Sequence, residues 1–494
     1  MKKTNINLVP DVQNPTPDYY CTWQTQLYAT NDGKPEGQRA IIGEKALLDS
    51  EKPYGWAYFY AQARKDLFFV MDDSWDVPLN NDLSYLASLI LDKEKFPSFV
   101  NNSSDNKEAM KKISDKIKSI GWKGLGGWVC AQESPRIKGE LTQEEYWKIR
   151  LIEANEAGIS YWKVDWGDWC RDADFRKMLT ELGRKYAPNL VIEHAMTSEV
   201  IPFSDTFRTY DVPALMSIPM TMEKISYFTS VGEPKDGNMC LLNCEDEAYI
   251  SAACGFAMGI MRHPYSGAFM NGKADMSFPE VHRNLKTKMY EIIRAVRFHK
   301  IAPAYAFNGK HLKISDNTLC DTWEFEKPEE EFEGWWLENP AIAEYTKNNT
   351  LTKKAPAIIS RNTDLPIVLP DDEGNAPFIV ASQNPNGVCA VATLGRTIGR
   401  DYYIPKCDVT IDAKNSNTIG AFGEYNNLII KTNLTDINSV LIQDLADVEA
   451  YDITNLVTIG GNEVIISGDI ISKIGTMAQP IDDTSEPGVI IKLN

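Results

Sequence analysis

The tetrad Lys163-Val164-Asp165-Trp166 closes an apolar run from Gly158 to Trp162, entered from a helical pattern and left into Gly167, Asp168 and Trp169. A carboxylate beside a lysine at the C-terminal end of a buried strand carries a heavy desolvation cost unless a site uses it. Asp165 is therefore a candidate nucleophile. Trp162, Trp166 and Trp169 flank it with flat apolar faces and a polar edge, the surface a pyranose ring packs against. Lys163 and Asp165 are two positions apart and share one strand face. If that face looks into an open mouth, the lysine charge supports the ionised acid and can also hydrogen-bond a substrate; a structural ion pair is the alternative.

Other acids fall at comparable places. The run Leu67 to Met71 ends in Asp72-Asp73-Ser74-Trp75. This pair could accept hydrogen bonds from two neighbouring sugar hydroxyls, with Trp75 as a stacking wall; a helix cap, a solvated turn or a metal site are the alternatives. Gly126-Gly127-Trp128-Val129-Cys130 precedes Gln132 and Glu133, and Trp128 suits either the pocket or the core. Glu193-His194 offers a further hydroxyl contact or support for one. Arg208-Thr209-Tyr210-Asp211 sets a second carboxylate near a guanidinium, as a second catalytic acid or as a surface salt bridge. Two carboxylates on opposite sides of one mouth are what glycoside hydrolysis needs.

The elements that must position these residues follow from periodicity. Eight short apolar runs predict strands at Tyr19 to Trp23, Leu67 to Met71, Gly126 to Val129, Ile159 to Val164, Leu190 to Ile192, Thr206 to Arg208, Met239 to Leu242 and Gly259 to Met261. Helical patterns lie between most of them, at Lys107 to Ile120, Gln143 to Ala157, Asp172 to Tyr186 and Glu245 to Met258. Such alternation predicts a (β/α)8 TIM barrel; an open doubly wound sheet is the competing arrangement. After Pro303 the helices fade and turn residues punctuate Val-, Ile- and Thr-rich runs such as Phe378 to Ser382, Val388 to Leu394, Asn427 to Thr432, Val440 to Gln443 and Glu463 to Ser467. The expected organisation is a catalytic barrel with a short N-terminal extension over 1–307 and a C-terminal antiparallel β-sandwich over 308–494. The acidic stretch Lys327 to Gly334, with Trp335 and Trp336 behind it, reads as a loop or insertion.

Composition narrows the function classes. A net charge of -18, spread along the chain, argues against nucleic acid and for a neutral or cationic ligand. No run of eighteen apolar residues exists to cross a bilayer, so no membrane partner is expected. Met1-Lys2-Lys3 carries charge without an apolar segment behind it, which makes the cytoplasm the expected compartment unless a leader has been trimmed. The nine cysteines form no CxxC pair, so free thiols are expected. Neither a metal nor a cofactor is expected, the partner is a small-molecule or oligosaccharide substrate, and self-association is left open.

Read in order, the Asp-Asp-x-Trp turn, the Gly-x-Trp-Val strand, the Tyr-x-Lys-x-Asp strand, the Arg-x-x-Asp segment and the Asp-Glu-Ala helix followed by Ala-Met-Gly-Ile-Met resemble the α-galactosidase clan of glycoside hydrolases. That clan includes α-galactosidases, α-N-acetylgalactosaminidases and raffinose synthases. The resemblance spans about residues 18 to 305, and Ala381 to Gly387 with Leu394 to Thr397 is similar to the β domain that follows the barrel in many members. It implies a retaining double displacement with Asp165 as nucleophile and Asp211 as general acid/base. It also implies that Asp72 and Asp73 recognise the 4- and 6-hydroxyls, that Lys163 contacts ring hydroxyls, and that Glu193 contacts the 2-position; Arg208 and Trp166 belong to the same substrate-binding set. The chain departs from the clan pattern in the spacing from Arg208 to Asp211 and in reading Trp128-Val129-Cys130-Ala131-Gln132-Glu133 where bacterial members often carry Trp-x-Glu-Pro-Glu. A transglycosylase and a non-catalytic galactoside-binding protein on the same scaffold are the competing functions.

Overall fold

A computed structural model describes residues 1–30, 35–51, 55–209, 216–261, 288–324, 346–347, 350–399 and 401–494. Strand β1 (Lys2–Lys3) stands apart from eight parallel strands: β2 (Tyr19–Cys21), β3 (Phe68–Met71), β4 (Gly124–Val129), β5 (Tyr161–Val164), β6 (Val191–His194), β7 (Thr206–Arg208), β8 (Leu241–Asn243) and β9 (Gly259–Ile260). Neighbours pair in sequence order from β2 to β8, and β9 pairs with β2. A parallel bridge from Asn243 to Ala257, with Cys244 N–H donating to Ala257 O at 3.0 Å, joins β8 to the approach of β9. The result is the expected barrel, closed through that bridge.

Its interior is filled by rings over glycines. Tyr19, Cys21, Phe68, Val70 and Tyr161 pack inside. A Cβ on Gly126 would stand 2.7 Å from Cβ of Tyr161, and one on Gly259 would meet the Tyr19 ring at 2.5 Å. Only glycine leaves room for both tyrosines at the axis.

The helices of the outer layer start and stop where local chemistry dictates. Asn106–Ile120 is capped by the Asp105 carboxylate accepting from Glu108 N–H and ends at Gly121 with φ 111°. Its buried stripe is Ala109, Met110, Ile113 and Ile117. Gln143–Glu156 opens with a reciprocal capping box between Thr142 and Glu145, and Ala173–Tyr186 is capped by Asp172. The helix expected over Glu245 to Met258 is shorter, Ala248–Cys254. Asp246 has φ 57° and Gly255 φ 66°, and these left-handed residues bound it on both sides.

The strands from Leu312 onward build a sandwich. One sheet of nine strands runs in the order Lys2–Lys3, Tyr451–Asp452, Val440–Asp444, Gly488–Leu493, Thr418–Phe422, Cys389–Leu394, Phe378–Gln383, Ile358–Arg361, Leu312–Ile314. A second sheet runs Ile367–Leu369, Asp408–Lys414, Asn427–Thr432, Glu463–Ser467, Thr458–Gly460. Most pairs are antiparallel; Ile358–Arg361 with Phe378–Gln383, Cys389–Leu394 with Thr418–Phe422 and Asp408–Lys414 with Asn427–Thr432 are parallel exceptions. Alternation along the strands gives the larger sheet two buried faces. Ile379, Val391, Ile419 and Ile491 join Val409, Ile411, Leu428 and Val464 of the second sheet in one core. Phe378, Val380, Ala390, Ala392 and Phe422 face the other way and belong to the barrel's core.

Buried arginines reinforce that contact. Arg294, on the helix Met289–Phe298, forks onto both oxygens of Asp444 at 2.9 and 3.1 Å. Arg361 donates to the carbonyls of Cys254 and Gly255 at 3.1 and 3.0 Å, where the helix Ala248–Cys254 ends. β1, grouped with the barrel by its place in the sequence, instead pairs with Tyr451–Asp452 of the larger sheet. The acidic stretch 327–334, Trp335 and Trp336 lie outside the described residues.

Candidate active site

Asp165 follows β5 directly, and its N–H donates to Val129 O at 3.0 Å, so the strand pairing carries through the carboxylate. Alternation puts Tyr161, Lys163 and Asp165 on the inner face and leaves Trp162 and Val164 outward. Both oxygens of Asp165 are held: Arg208 Nη2 lies 2.6 Å from Oδ1, and the Trp128 indole N–H donates to Oδ2 at 3.0 Å. Arg208 is itself 2% exposed and has two further carboxylates near, Glu245 at 3.6 Å from Nε and Glu193 at 3.7 Å from Nη1. One guanidinium thus serves three buried acids, an arrangement that compensates much of their desolvation.

Lys163 points elsewhere than expected. Its ammonium lies 3.0 Å from Asp72 Oδ2, and both side chains are buried. The cation bonded to Asp165 is Arg208, which corrects the expectation that Lys163 and Asp165 act as one unit. Strand neighbours two apart lie side by side rather than in contact, and the barrel brings the end of β3 within the lysine's reach. The Cys21 thiol donates to the same Asp72 oxygen at 2.7 Å. Burial, with Asp72 adjacent, pushes that thiol well above its usual range and keeps it a donor.

Asp73 turns toward a different partner. Its Oδ2 lies 3.6 Å from Arg39 Nη2, and its Oδ1 accepts from the Ser74 hydroxyl. Burial pushes the Asp73 carboxyl up to about 7; Arg39 opposes that shift, while Asp72, Asp76 and Asp165 add to it. Behind it, burial also raises Asp76 to about 7, although Leu89 N–H donates to its Oδ2 at 3.1 Å. Lys95 donates to the carbonyls of Ser74 and Arg39 at 3.0 and 2.7 Å and so ties this turn to the segment carrying Arg39.

Glu193 sits deeper along the axis. It accepts from Tyr161 Oη at 2.8 Å, Tyr19 Oη at 3.1 Å and Asn243 Nδ2 at 2.5 Å. Burial raises its carboxyl and the Arg208 guanidinium works against that rise. His194 faces the helix layer, with Nδ1 accepting from Arg176 at 3.2 Å and Nε2 against Thr180 Oγ1 at 2.7 Å. Burial holds it well below its usual value, and Arg176 adds to that effect.

The indoles divide into two groups. Trp75 is 2% exposed, and with Trp162 it lines a small pocket between the barrel wall and the helices Asn106–Ile120 and Gln143–Glu156. Its N–H donates to Trp128 O at 3.0 Å. The stacking wall expected of Trp75 is therefore a core side chain that supports the Trp128 strand. Trp128 is buried, and its indole N–H is the group that bonds Asp165. Trp166 is half-buried against Trp128, with ring centroids 5.3 Å apart, and Trp169 is exposed.

Asp211 lies outside the described residues, which stop at Thr209 and resume at Met216. The structure brings Asp72, Asp73, Trp128, Lys163, Asp165, Glu193 and Arg208 to one end and axis of the barrel. It adds groups that sequence reasoning missed: Cys21, Arg39, Asn243, Glu245 and Arg176. Arg176 donates to the carbonyls of Val164, Asp165 and Cys170 at 3.1, 2.8 and 2.7 Å, so it fixes the backbone that carries Asp165. The only signal for Glu245 was the acidic Glu245-Asp246-Glu247 run, which also suits the first turn of a helix.

No protein-family model and no curated protein matches this sequence. Similar solved structures include a Bacteroides fragilis protein provisionally designated an α-galactosidase, 9% identical, covering 99% of this chain and 80% of that one with a TM-score of 0.43. A Bacillus halodurans protein provisionally designated an α-N-acetylgalactosaminidase is 11% identical over 99% of both chains, with a TM-score of 0.40. A β-L-arabinopyranosidase from Geobacillus stearothermophilus is 12% identical over 64% of this chain and 82% of that one, with a TM-score of 0.36.

Proposed function

We propose that the chain is a retaining exo-glycoside hydrolase that releases a terminal α-linked galactose-like sugar from a small or oligomeric saccharide, working in the cytoplasm. The observation that carries this reading is Asp165: a carboxylate at the C-terminal end of a barrel strand with Arg208 on one oxygen and an indole N–H on the other. Those two donors hold both carboxylate oxygens and fix their direction, as a nucleophile requires. Asp72 and Asp73, at the corresponding end of β3, supply the acceptors for adjacent sugar hydroxyls, and Lys163 and Arg208 supply donors.

In the first step an Asp165 oxygen forms a bond to the anomeric carbon as the bond to the leaving oxygen breaks. Asp211, assigned by resemblance alone, gives its proton to that oxygen. In the second step Asp211 takes a proton from water, and the resulting hydroxide displaces Asp165 from the anomeric carbon. The two displacements return the original configuration.

The test is release of nitrophenol from a panel of aryl α- and β-glycosides by the wild type and by Asp165→Asn. Activity on α-galactosides, lowered by several orders of magnitude in a variant that keeps its unfolding transition, supports the reading. Residual activity within tenfold of wild type in Asp165→Asn overturns the nucleophile assignment, and an inactive wild type across the panel overturns the function.

A further inference from the structure

Two indoles beyond Asp165 are displayed on a braced loop. The Trp128 ring, which bonds Asp165, packs on Trp166 at 5.3 Å between centroids, and Trp166 leads through Gly167 and Asp168 to Trp169, 36% exposed. The loop is fastened to the segment after β4. Ala131 N–H donates to Trp166 O at 2.8 Å, Trp169 N–H donates to Ala131 O at 2.8 Å, and the Cys130 thiol lies 3.2 Å from Trp166 O. Gly167, at φ 140°, makes that approach possible: a Cβ there would stand 2.8 Å from the Ala131 backbone.

The polar edge of Trp169 is already satisfied. Its N–H donates to Glu133 Oε2 at 3.3 Å, and Glu133 is fixed in turn by Trp147 Nε1 at 3.2 Å and Lys138 Nζ at 3.1 Å. A carboxylate with a 4% exposed side chain and three donors thus holds one indole edge inward while the ring stays in contact with water. An exposed, rigidly held aromatic surface carries an unfavourable hydration that a ligand packing on it would relieve, with little ordering entropy left to lose. Trp169 is four residues past Asp165, within about 14 Å of it along the chain. That is the range of the second ring of a saccharide whose first ring is attacked by Asp165.

We propose that Trp166 and Trp169 form the subsite for the leaving group, an apolar-faced sugar linked to the released glycone. The proposal rests on the glycosidase reading above. Glu133, through its bond to the Trp169 indole, acts as a positioning residue for this platform.

The test compares kcat/KM on an α-galactosyl disaccharide with that on α-galactosyl fluoride, whose leaving group is too small to reach the indoles. In Trp169→Ala the disaccharide-to-fluoride ratio is expected to fall by about 3- to 10-fold, and in Trp169→Phe by less, because a ring is kept. An unchanged ratio in Trp169→Ala overturns the subsite while leaving the glycosidase reading intact. A wild type inactive on both substrates overturns the glycosidase reading, and the subsite with it.

Discussion

Arg208 and Asp165 form a 2.6 Å ion pair in which the cation is more buried than the acid, with side-chain exposures of 2% and 9%. The guanidinium is the shared counter-charge of Asp165, Glu193 and Glu245, so its removal takes a buried cation from beside three acids at once. Arg208→Met should destabilise the protein by about 3 kcal/mol or more near pH 8. The loss should shrink toward pH 5, because the Glu193 carboxyl, already raised by burial, can take up a proton there instead of remaining charged without its cation. Urea unfolding at the two pH values checks this; an equal loss at both would mean that the three acids do not depend on Arg208.

Asp73 and Asp76 make a second prediction. Burial holds both near about 7 in the folded protein, against about 3.9 for an unfolded aspartate. Between those values the native state binds protons that the unfolded chain has released, so stability should fall as pH rises from about 4 through about 7. Asp76→Asn keeps an acceptor for Leu89 N–H and removes the titration, so it should flatten the decline. A variant whose unfolding free energy keeps the wild-type slope between pH 5 and pH 7 would show that Asp76 is ionised throughout.

The acid pair after β3 should set the choice of glycone. Asp72→Ala or Asp73→Ala is expected to reduce discrimination between an α-galactoside and its 4-epimer, the α-glucoside, by at least about tenfold, because a site built to bond a hydroxyl penalises the analogue that misplaces it. The ratio of kcat/KM values for the two aryl glycosides measures it. Unchanged selectivity in both variants would make the pair a structural turn.

Arg176 should matter to catalysis without touching substrate. It is fully buried and donates to three carbonyls around Asp165, so Arg176→Lys leaves acceptors unpaired and loosens the nucleophile. We expect kcat to fall by about 10-fold or more, with KM little changed. A fall in thermal stability with kcat unaltered would make Arg176 a structural residue only.

The strands were legible because buried parallel strands read as apolar runs, and Thr206–Arg208 and Asn427–Thr432 match their expected windows residue for residue. Asp72, Asp73, Asp165 and Glu193 stood out because they come at the end of such runs, whereas Glu245 was masked by an acidic stretch that also suits a helix start. Partnerships across the barrel were not legible. Which strand end faces Lys163 depends on closure, and sequence spacing placed it beside Asp165 when its ammonium is on Asp72. Arg176 was hidden inside an amphipathic helix pattern, where an arginine ordinarily marks the wet face, and here its long stem carries the charge inward to the carbonyls. Trp75 follows the acid pair closely enough to suggest a pocket wall, yet the glycine at position 127 opens a slot for its ring on the helix side.

The pairing of β1 with Tyr451–Asp452 gives this fold a timetable. At about 5–20 residues per second, a ribosome needs on the order of 20 to 90 s after making Lys3 before its partner strand exists. The barrel strands in between can associate meanwhile, but the larger sheet cannot gain its outermost member until Tyr451 and Asp452 have emerged. Assembly of that sheet is therefore a late event that joins residues synthesised far apart in time.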